Sequence, residues 1–385
     1  MLAVGIRQAF GLFLAPMAVD LDIGRGAFGF AIALQNLLWG LLQPFTGMFA
    51  DRYGAGRVLV LGAALYATGL SLMAVSTTPA MLDWSAGVLI GIGLSACSFG
   101  VVMGVVARSV APERRSWALG LVGAGGSFGQ FAMLPIGQSL ISAAGWNGAL
   151  FLLAAAVLLI VVLAVPLAGK PAATTDSSPH DTRAALRQAL SDRGFWFLTA
   201  AFAVCGFQTI FLMIHLPAFL LDRGLPLSVG VTALALVGLC NVVGSYGCGL
   251  LGGHFRKKHV LGWIFAVRAV VIAAYISVPV TPLTTYALAM TIGFTWLGTV
   301  PLTNALVADI FGVRYLSTLF GIAFLGHQIG SFFGAWYGGY VFDTTGSYQI
   351  VWILCIAASV VAAALLWPID DRQRALPGVA SPAPT

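Results

Sequence analysis

The sequence predicts an all-α membrane protein: 12 transmembrane helices in two pseudo-symmetric six-helix bundles. Three observations carry that expectation. The chain is 59% apolar and 8% charged, with mean hydropathy +0.95, whereas a soluble domain is roughly a quarter charged. The stretch from Val106 to Gly145 occurs twice. Moving 201 positions along (307 − 106 = 201) takes Val106-Ala107 onto Val307-Ala308, and Gly120, Gly125, Gly129, Gly137 and Gly145 onto Gly321, Gly326, Gly330, Gly338 and Gly346, with Phe131 on Phe332. A gapless half-chain repeat across a polar turn points to two parallel bundles built on one plan. The basic residues, finally, collect on one side of the spans.

Each span follows from hydrocarbon thickness. A helix rising ~1.5 Å per residue needs about 20 residues to cross ~30 Å. The apolar stretches have that length and carry glycine and proline, which favours helices over barrel strands of about half that length. They run over 2–19, 27–50, 58–76, 84–107, 116–140, 148–168, 195–221, 228–252, 259–278, 283–307, 315–341 and 349–367. No small-residue cleavage site follows the first, so it is read as a retained helix and not a signal peptide. The expected division is an N-terminal bundle over 1–168, a polar linker over 169–194, a C-terminal bundle over 195–367 and a tail over 368–385. Within the linker, Thr182 to Asp192 has the composition of a short surface helix.

Sidedness follows from the cations. The turns after spans 2, 4, 6, 8 and 10, with the tail, hold Arg52, Arg57, Arg108, Arg114, Arg115, Lys170, Arg183, Arg187, Arg193, Arg256, Lys257, Lys258, Arg314, Arg372 and Arg374. The opposite turns hold Arg25 and Arg223. The positive-inside rule then makes both termini and the linker cytoplasmic, in a membrane of the bacterial inner (plasma) type. This placement also explains the pI of 9.2 without a nucleic-acid partner; the lipid bilayer is the partner, and a monomer is expected.

Several chemistries find no support. Cys97, Cys205, Cys240, Cys248 and Cys355 all lie in apolar spans without CxxC or metal spacing. Gly91-Ile-Gly93 follows no strand, and no Walker motif occurs, so ATP is not the energy source. No nucleophile–base set points to an enzyme, and no cofactor is expected.

The turn after span 2 reads Gly47-Met-Phe-Ala-Asp51-Arg52-Tyr-Gly54-Ala-Gly-Arg57. It resembles the loop signature of the major facilitator superfamily, with Gly56 at a usually basic position. The second-half counterpart, Gly249 to Lys258, keeps the basic cluster but has Gly253 where an aspartate is usual, which predicts a weaker gate on that side. Arg114-Arg115-Ser-Trp-Ala118-Leu-Gly120, with the small residues through Gly129, is similar to the double-arginine start of span 5 in the monocarboxylate porter group. That group's acidic-glycine motif in span 1, its buried acid in the second half and its cation in span 8 have no counterpart here. The resemblance implies the major facilitator fold, with one half rocking against the other around a central site. It assigns gating to Asp51, Arg52, Arg57 and Arg108, with Asp51 pairing Arg108 or a second-half cation, and to Asp309 and Arg314 in the second half.

Two arginines fall within spans. Arg7 lies about 9 Å along the first. A central arginine costs at least about 2.5 kcal/mol on insertion, so it should meet a cavity or a partner, and no acid lies at its depth. An anionic substrate fills that role; snorkelling to the nearby surface is the alternative. Arg268 sits mid-span in span 9, where substrate contact and a structural bond to Asn241, Tyr246 or Asn304 are both open. His215, two residues before Pro217, and His327 with Gln328 are candidate substrate or proton contacts, or plain interhelix bonds. Gln8, Gln35, Asn36, Gln130, Gln208, Asn241 and Trp296 lie in spans that face the cavity in the resembled fold, where amides orient a polar solute or join helices. The eight acids Asp20, Asp22, Asp51, Asp83, Glu113, Asp222, Asp309 and Asp343 all sit at span ends or turns, so no mid-membrane carboxylate relays protons. If protons are co-transported, His215, His327 or the substrate carries them.

These readings converge on a secondary transporter of small organic anions, monocarboxylates foremost, working by alternating access as symporter or antiporter. The aromatic content, including Trp39, Phe45, Trp296, Phe324 and Phe333, keeps open an exporter of amphipathic or drug-like compounds. A non-transporting sensor would need a cytoplasmic partner-binding domain that the linker and tail are too short to form.

Overall fold

The computed structural model describes residues 2–97, 101–102, 106, 115–165, 186–311 and 316–372. Every long element is helical. The first span is broken: α1 (Leu2–Gln8) and α2 (Gly11–Asp20) meet at 52°. At the join, the amides of Ala9, Phe10, Leu12 and Phe13 each bond the carbonyl three residues back. This is the tight 3₁₀ geometry that marks a hinge or a strained site. Then follow α3 (Arg25–Tyr53), α4 (Ala55–Ala74) and α5 (Pro79–Ala96). Thr78 caps α5, with Pro79 in the first turn, where its missing amide costs nothing. Over Asp83–Leu89 the helix widens to π geometry, and Gln35 Nε2 donates 2.8 Å to the Ala86 carbonyl there.

α6 (Arg115–Ala164) is a 50-residue run broken at Gly145, where φ is 69°. A straight helix of that length would reach roughly 75 Å, more than twice the hydrocarbon layer, so it serves as two spans. The second half has α7 (Arg193–Asp222), α8 (Leu227–His254), α9 (Lys257–Ser277), α10 (Pro282–Trp296), α11 (Thr299–Phe311), α12 (Leu316–Thr345) and α13 (Gln349–Leu366). Asp192 caps α7, and a Thr281–Thr284 capping box opens α10. Among the described residues ten helices have the length and apolarity to cross a membrane, or eleven with the bent α1–α2 pair. Counting α6 as two gives twelve, in register with the spans read from the sequence. Of the linker, residues 186–191 are helical; 166–185 and 373–385 lie outside the described residues.

The 201-residue repeat reappears in the backbone. Gly145 and its counterpart Gly346 have φ of 69° and 68°, a left-handed turn that glycine adopts without a Cβ penalty. Gly5 on α1 and its counterpart Gly206 on α7 sit in matching close approaches. A Cβ on Gly5 would stand 2.6 Å from the Gly129 carbonyl oxygen, and one on Gly206 would stand 1.9 Å from that of His327. Small residues at such crossings let helices pack backbone to backbone. The two sets of spans meet where α3 packs on α12, α6 on α8 and α2 on α7.

Candidate functional site

Arg7 lies in the last turn of α1, next to the 3₁₀ break, and is 7% exposed. Its Nη2 donates to Asn36 Oδ1 on α3, and the guanidinium lies over the Trp39 ring at 4.8 Å. Its Nε and the Trp39 indole nitrogen are buried donors with no hydrogen-bond partner. Among the described residues Arg7 joins no salt bridge. Asn36 is a crossing point between the two sets of spans. Its side chain bonds its own helix at Ile32 (2.7 Å), and its carbonyl accepts from Gln328 Nε2 on α12 (3.1 Å). His327 Nδ1 stands 3.1 Å from Gln328 Oε1, between Phe202 and Phe324, and Phe324 meets Trp39 edge-on at 5.8 Å. Arg7, Asn36, Trp39, His327 and Gln328 therefore form one linked cluster from α1, α3 and α12. Its character is cationic, with two donors unsatisfied. In the sequence Trp39 reads as one more aromatic; only the fold sets its indole donor next to Arg7.

Arg268 behaves differently. It is 1% exposed, and its donors are committed. Nε reaches Thr295 Oγ1 at 3.2 Å and Nη2 the Thr295 carbonyl at 2.6 Å, while Nη1 reaches Cys205 Sγ at 3.3 Å and Gln208 Oε1 at 3.5 Å. These bonds tie α9 to α10 and α7. The partners differ from the anticipated Asn241, Tyr246 and Asn304, and they leave the guanidinium a structural role. Gln208 is spent likewise, donating 2.7 Å to the Cys355 carbonyl and also to Ser359 Oγ.

The other candidates disperse. Gln35 faces α5 through Ala86. Gln130 and Asn241 meet across the α6–α8 contact at 3.4 Å, and Asn241 also accepts from the Leu297 amide. Gln8 and Trp296 are buried. His215 lies at the far end of α7, bonded to Tyr348 and Ala335. Elsewhere, Phe207, Phe333, Trp336, Tyr337 and Tyr340 line a purely aromatic groove of about 570 Å³.

At the end away from the basic turns the structure shows a feature that sequence reasoning missed. Arg25, at the start of α3, forks onto Asp222 at the end of α7, with contacts of 2.6 and 2.7 Å. It also donates to Tyr348 Oη at 3.1 Å and covers the Phe342 ring at 3.8 Å. Asp343, on α12, accepts from the amides of Arg25 and Gly26 at 2.9 and 2.7 Å, capping α3 from another helix, where the dipole favours negative charge. The signal was present: Arg25 is one of two cations among outer turns that hold Asp222 and Asp343.

At the opposite end, Arg52 lies over Tyr53 at 5.4 Å and Arg57 is exposed. The Asp51 side chain, Arg108 and Arg314 lie outside the described residues. Asp309 accepts from Lys257 at 2.7 Å. Arg256 pairs with Asp371, which is held below the ordinary carboxylate range chiefly by that hydrogen bond. Lys258 donates to the Trp367 and Ile369 carbonyls at 3.1 and 2.5 Å. With Gly253 in the aspartate's place, the acids for this loop come instead from Asp309 and Asp371.

Comparison with known proteins agrees with this architecture. The family model described as Major Facilitator Superfamily matches residues 1–334 and 239–384. An uncharacterized MFS-type transporter of Bacillus subtilis, YcxA, is 24% identical over 96% of this chain and 92% of its own length. An oxalate:formate antiporter of Oxalobacter formigenes is 24% identical, covering 96% and 88%. Monocarboxylate transporter 13 of Rattus norvegicus is 25% identical, covering 95% and 83%. Among solved structures, a bacterial homolog of the human lysosomal transporter Spinster, inward-facing and unoccupied, superposes with TM-score 0.71 at 14% identity over 95% of this chain and 91% of that one.

Proposed function

This chain belongs to the Major Facilitator Superfamily and is a multi-pass membrane transporter; from that premise we propose that its cargo is a small organic anion bearing one negative charge, such as a monocarboxylate. One observation carries the reading. Arg7 is a buried guanidinium with an unsatisfied Nε, beside the unsatisfied Trp39 indole, and without a carboxylate partner among the described residues. Two donors around one buried charge suit the two oxygens of a carboxylate. The preference for one charge rests on Arg268, the other buried arginine among the described residues, each of whose nitrogens already has a partner, so a dianion's second carboxylate would find no unpartnered arginine nitrogen there. Relatives named for oxalate, formate and monocarboxylates support the anion class.

The two six-helix halves, 1–168 and 195–367, rock about this cluster, with both termini on the cytoplasmic side. Asp51, Arg52, Arg57, Arg108, Asp309 and Arg314 serve the cytoplasmic gate. The experiment is a melting-temperature screen of purified protein against formate, acetate, lactate, pyruvate, oxalate and succinate. Monocarboxylates should raise the melting temperature of the wild type and leave Arg7→Gln unmoved. Stabilisation by oxalate and succinate alone, or an equal response from Arg7→Gln, would defeat the reading.

A further inference from the structure

His215 is 0% exposed and belongs to the outer contact, not to the Arg7 cluster. Its Nε2 stands 2.7 Å from the Ala335 carbonyl oxygen, which only accepts, so Nε2 carries the hydrogen. Its Nδ1 stands 3.2 Å from Tyr348 Oη. That oxygen already receives Arg25 Nη1 at 3.1 Å, and a guanidinium only donates. The Tyr348 hydrogen therefore goes to the Nδ1 lone pair. The chain runs one way: Arg25 donates to Tyr348, Tyr348 to His215, His215 to Ala335. It closes only with a neutral ring.

We propose that His215 is a proton-binding site that governs the outer gate: the gate shuts on the neutral imidazole, and protonation from the outer side favours the open form. An imidazolium would direct an N–H at Tyr348 Oη, already facing the guanidinium donor. The tyrosine hydrogen would then have to leave the Nδ1 lone pair, with Phe211, Phe219 and Phe342 flanking the ring. A second positive charge would be added one hydroxyl away from Arg25. Among the described residues, the other charged or titratable groups on the packed elements give the ring no hydrogen bond. Asp222 is engaged by Arg25, Asp343 by the amides of α3, and Asp20 by Trp146 Nε1 at 2.6 Å; Tyr275 is occupied with Thr285. On its Gly338 side the ring is packed tightly, since a Cβ there would stand 2.6 Å from it. Parting α3 from the second-half helices takes Arg25 away from Tyr348 and opens this end, with His215, to water.

The prediction is quantitative. If only the open form binds this proton with an ordinary affinity, the open-to-shut ratio is about tenfold larger at pH 5.5 than at pH 7.5. Spin labels at Val19→Cys and Thr344→Cys, both exposed, report the ratio by pulsed electron resonance on the full chain in nanodiscs, the five native cysteines being buried. Measurements are made in an Asp222→Asn background, which loosens the latch and raises the open fraction at both pH values. That background should keep the roughly tenfold response, and adding His215→Gln, which offers one donor and one acceptor but does not titrate, should abolish it. Asp343→Asn should also keep the response. A flat profile in the Asp222→Asn protein, or an undiminished response with His215→Gln, overturns the proposal and would assign any pH dependence to carboxylates. The readout needs no substrate, so it fails or succeeds separately from the monoanion reading.

Discussion

Arg7 and Arg268 are both buried, one in each repeat of the chain, yet they are not equivalent. The position 201 residues after Arg7 is Gln208, and Arg268 reaches that glutamine from α9. The second repeat thus also brings a guanidinium to this level, by a different route, and meets it with Thr295, Cys205 and Gln208. In the first repeat the guanidinium enters from α1 itself, and Asn36 bonds only part of it. Burial alone therefore does not separate a ligand-binding charge from a structural one. The count of unmet donors is what distinguishes the two here, because each unsatisfied buried donor leaves a desolvation cost that an incoming acceptor can relieve.

The largest expected effect breaks the comparison at its functional end. Arg7→Gln should cost about 3 kcal/mol of anion binding, roughly a hundredfold in affinity, measured as monocarboxylate uptake in proteoliposomes, while insertion and melting temperature stay close to wild type. Uptake that survives this change would sink the distinction. Next comes Arg268→Met, which should lower stability by about 2 kcal/mol through unmet buried acceptors and leave anion affinity nearly unchanged; a loss of affinity equal to that of Arg7→Gln would make the two arginines alike after all. Asn36→Ala sharpens the contrast at smaller scale. It frees the guanidinium from its one fixed bond, worth about 1.5 kcal/mol, and should weaken anion affinity by roughly tenfold if Asn36 orients Arg7. The smallest effect belongs to the end that carries the basic turns. Because Asp371 titrates below its unfolded value, its contribution is present above that value and fades as pH falls through the folded one. Asp371→Asn should thus lower the melting temperature slightly near neutrality, and the difference should shrink as pH falls below the ordinary carboxylate range; a difference that does not shrink in acid would show that the Arg256 contact is not ionic.

The sequence by itself determined the span count and the two-fold repeat, and sorted the cations to one set of turns. Those properties are written along one dimension, as hydrocarbon thickness sets run length and the cost of charge sorts the cations into turns. It also determined that Arg7 and Arg268 needed explaining, since each is a charge in oil. Only the tertiary structure decided which of them was already answered. The partners of Arg268 are 60 and 63 residues before it and 27 after it, and those of Arg25 lie 197 and more positions away. Hydrogen bonds act over about 3 Å, so whether a donor is satisfied depends on the packed geometry of helices distant in the chain. The cluster of Arg25, Asp222, Asp343 and Tyr348 was hidden for the same reason: each residue reads as an ordinary turn or helix-end group until the helices are brought together.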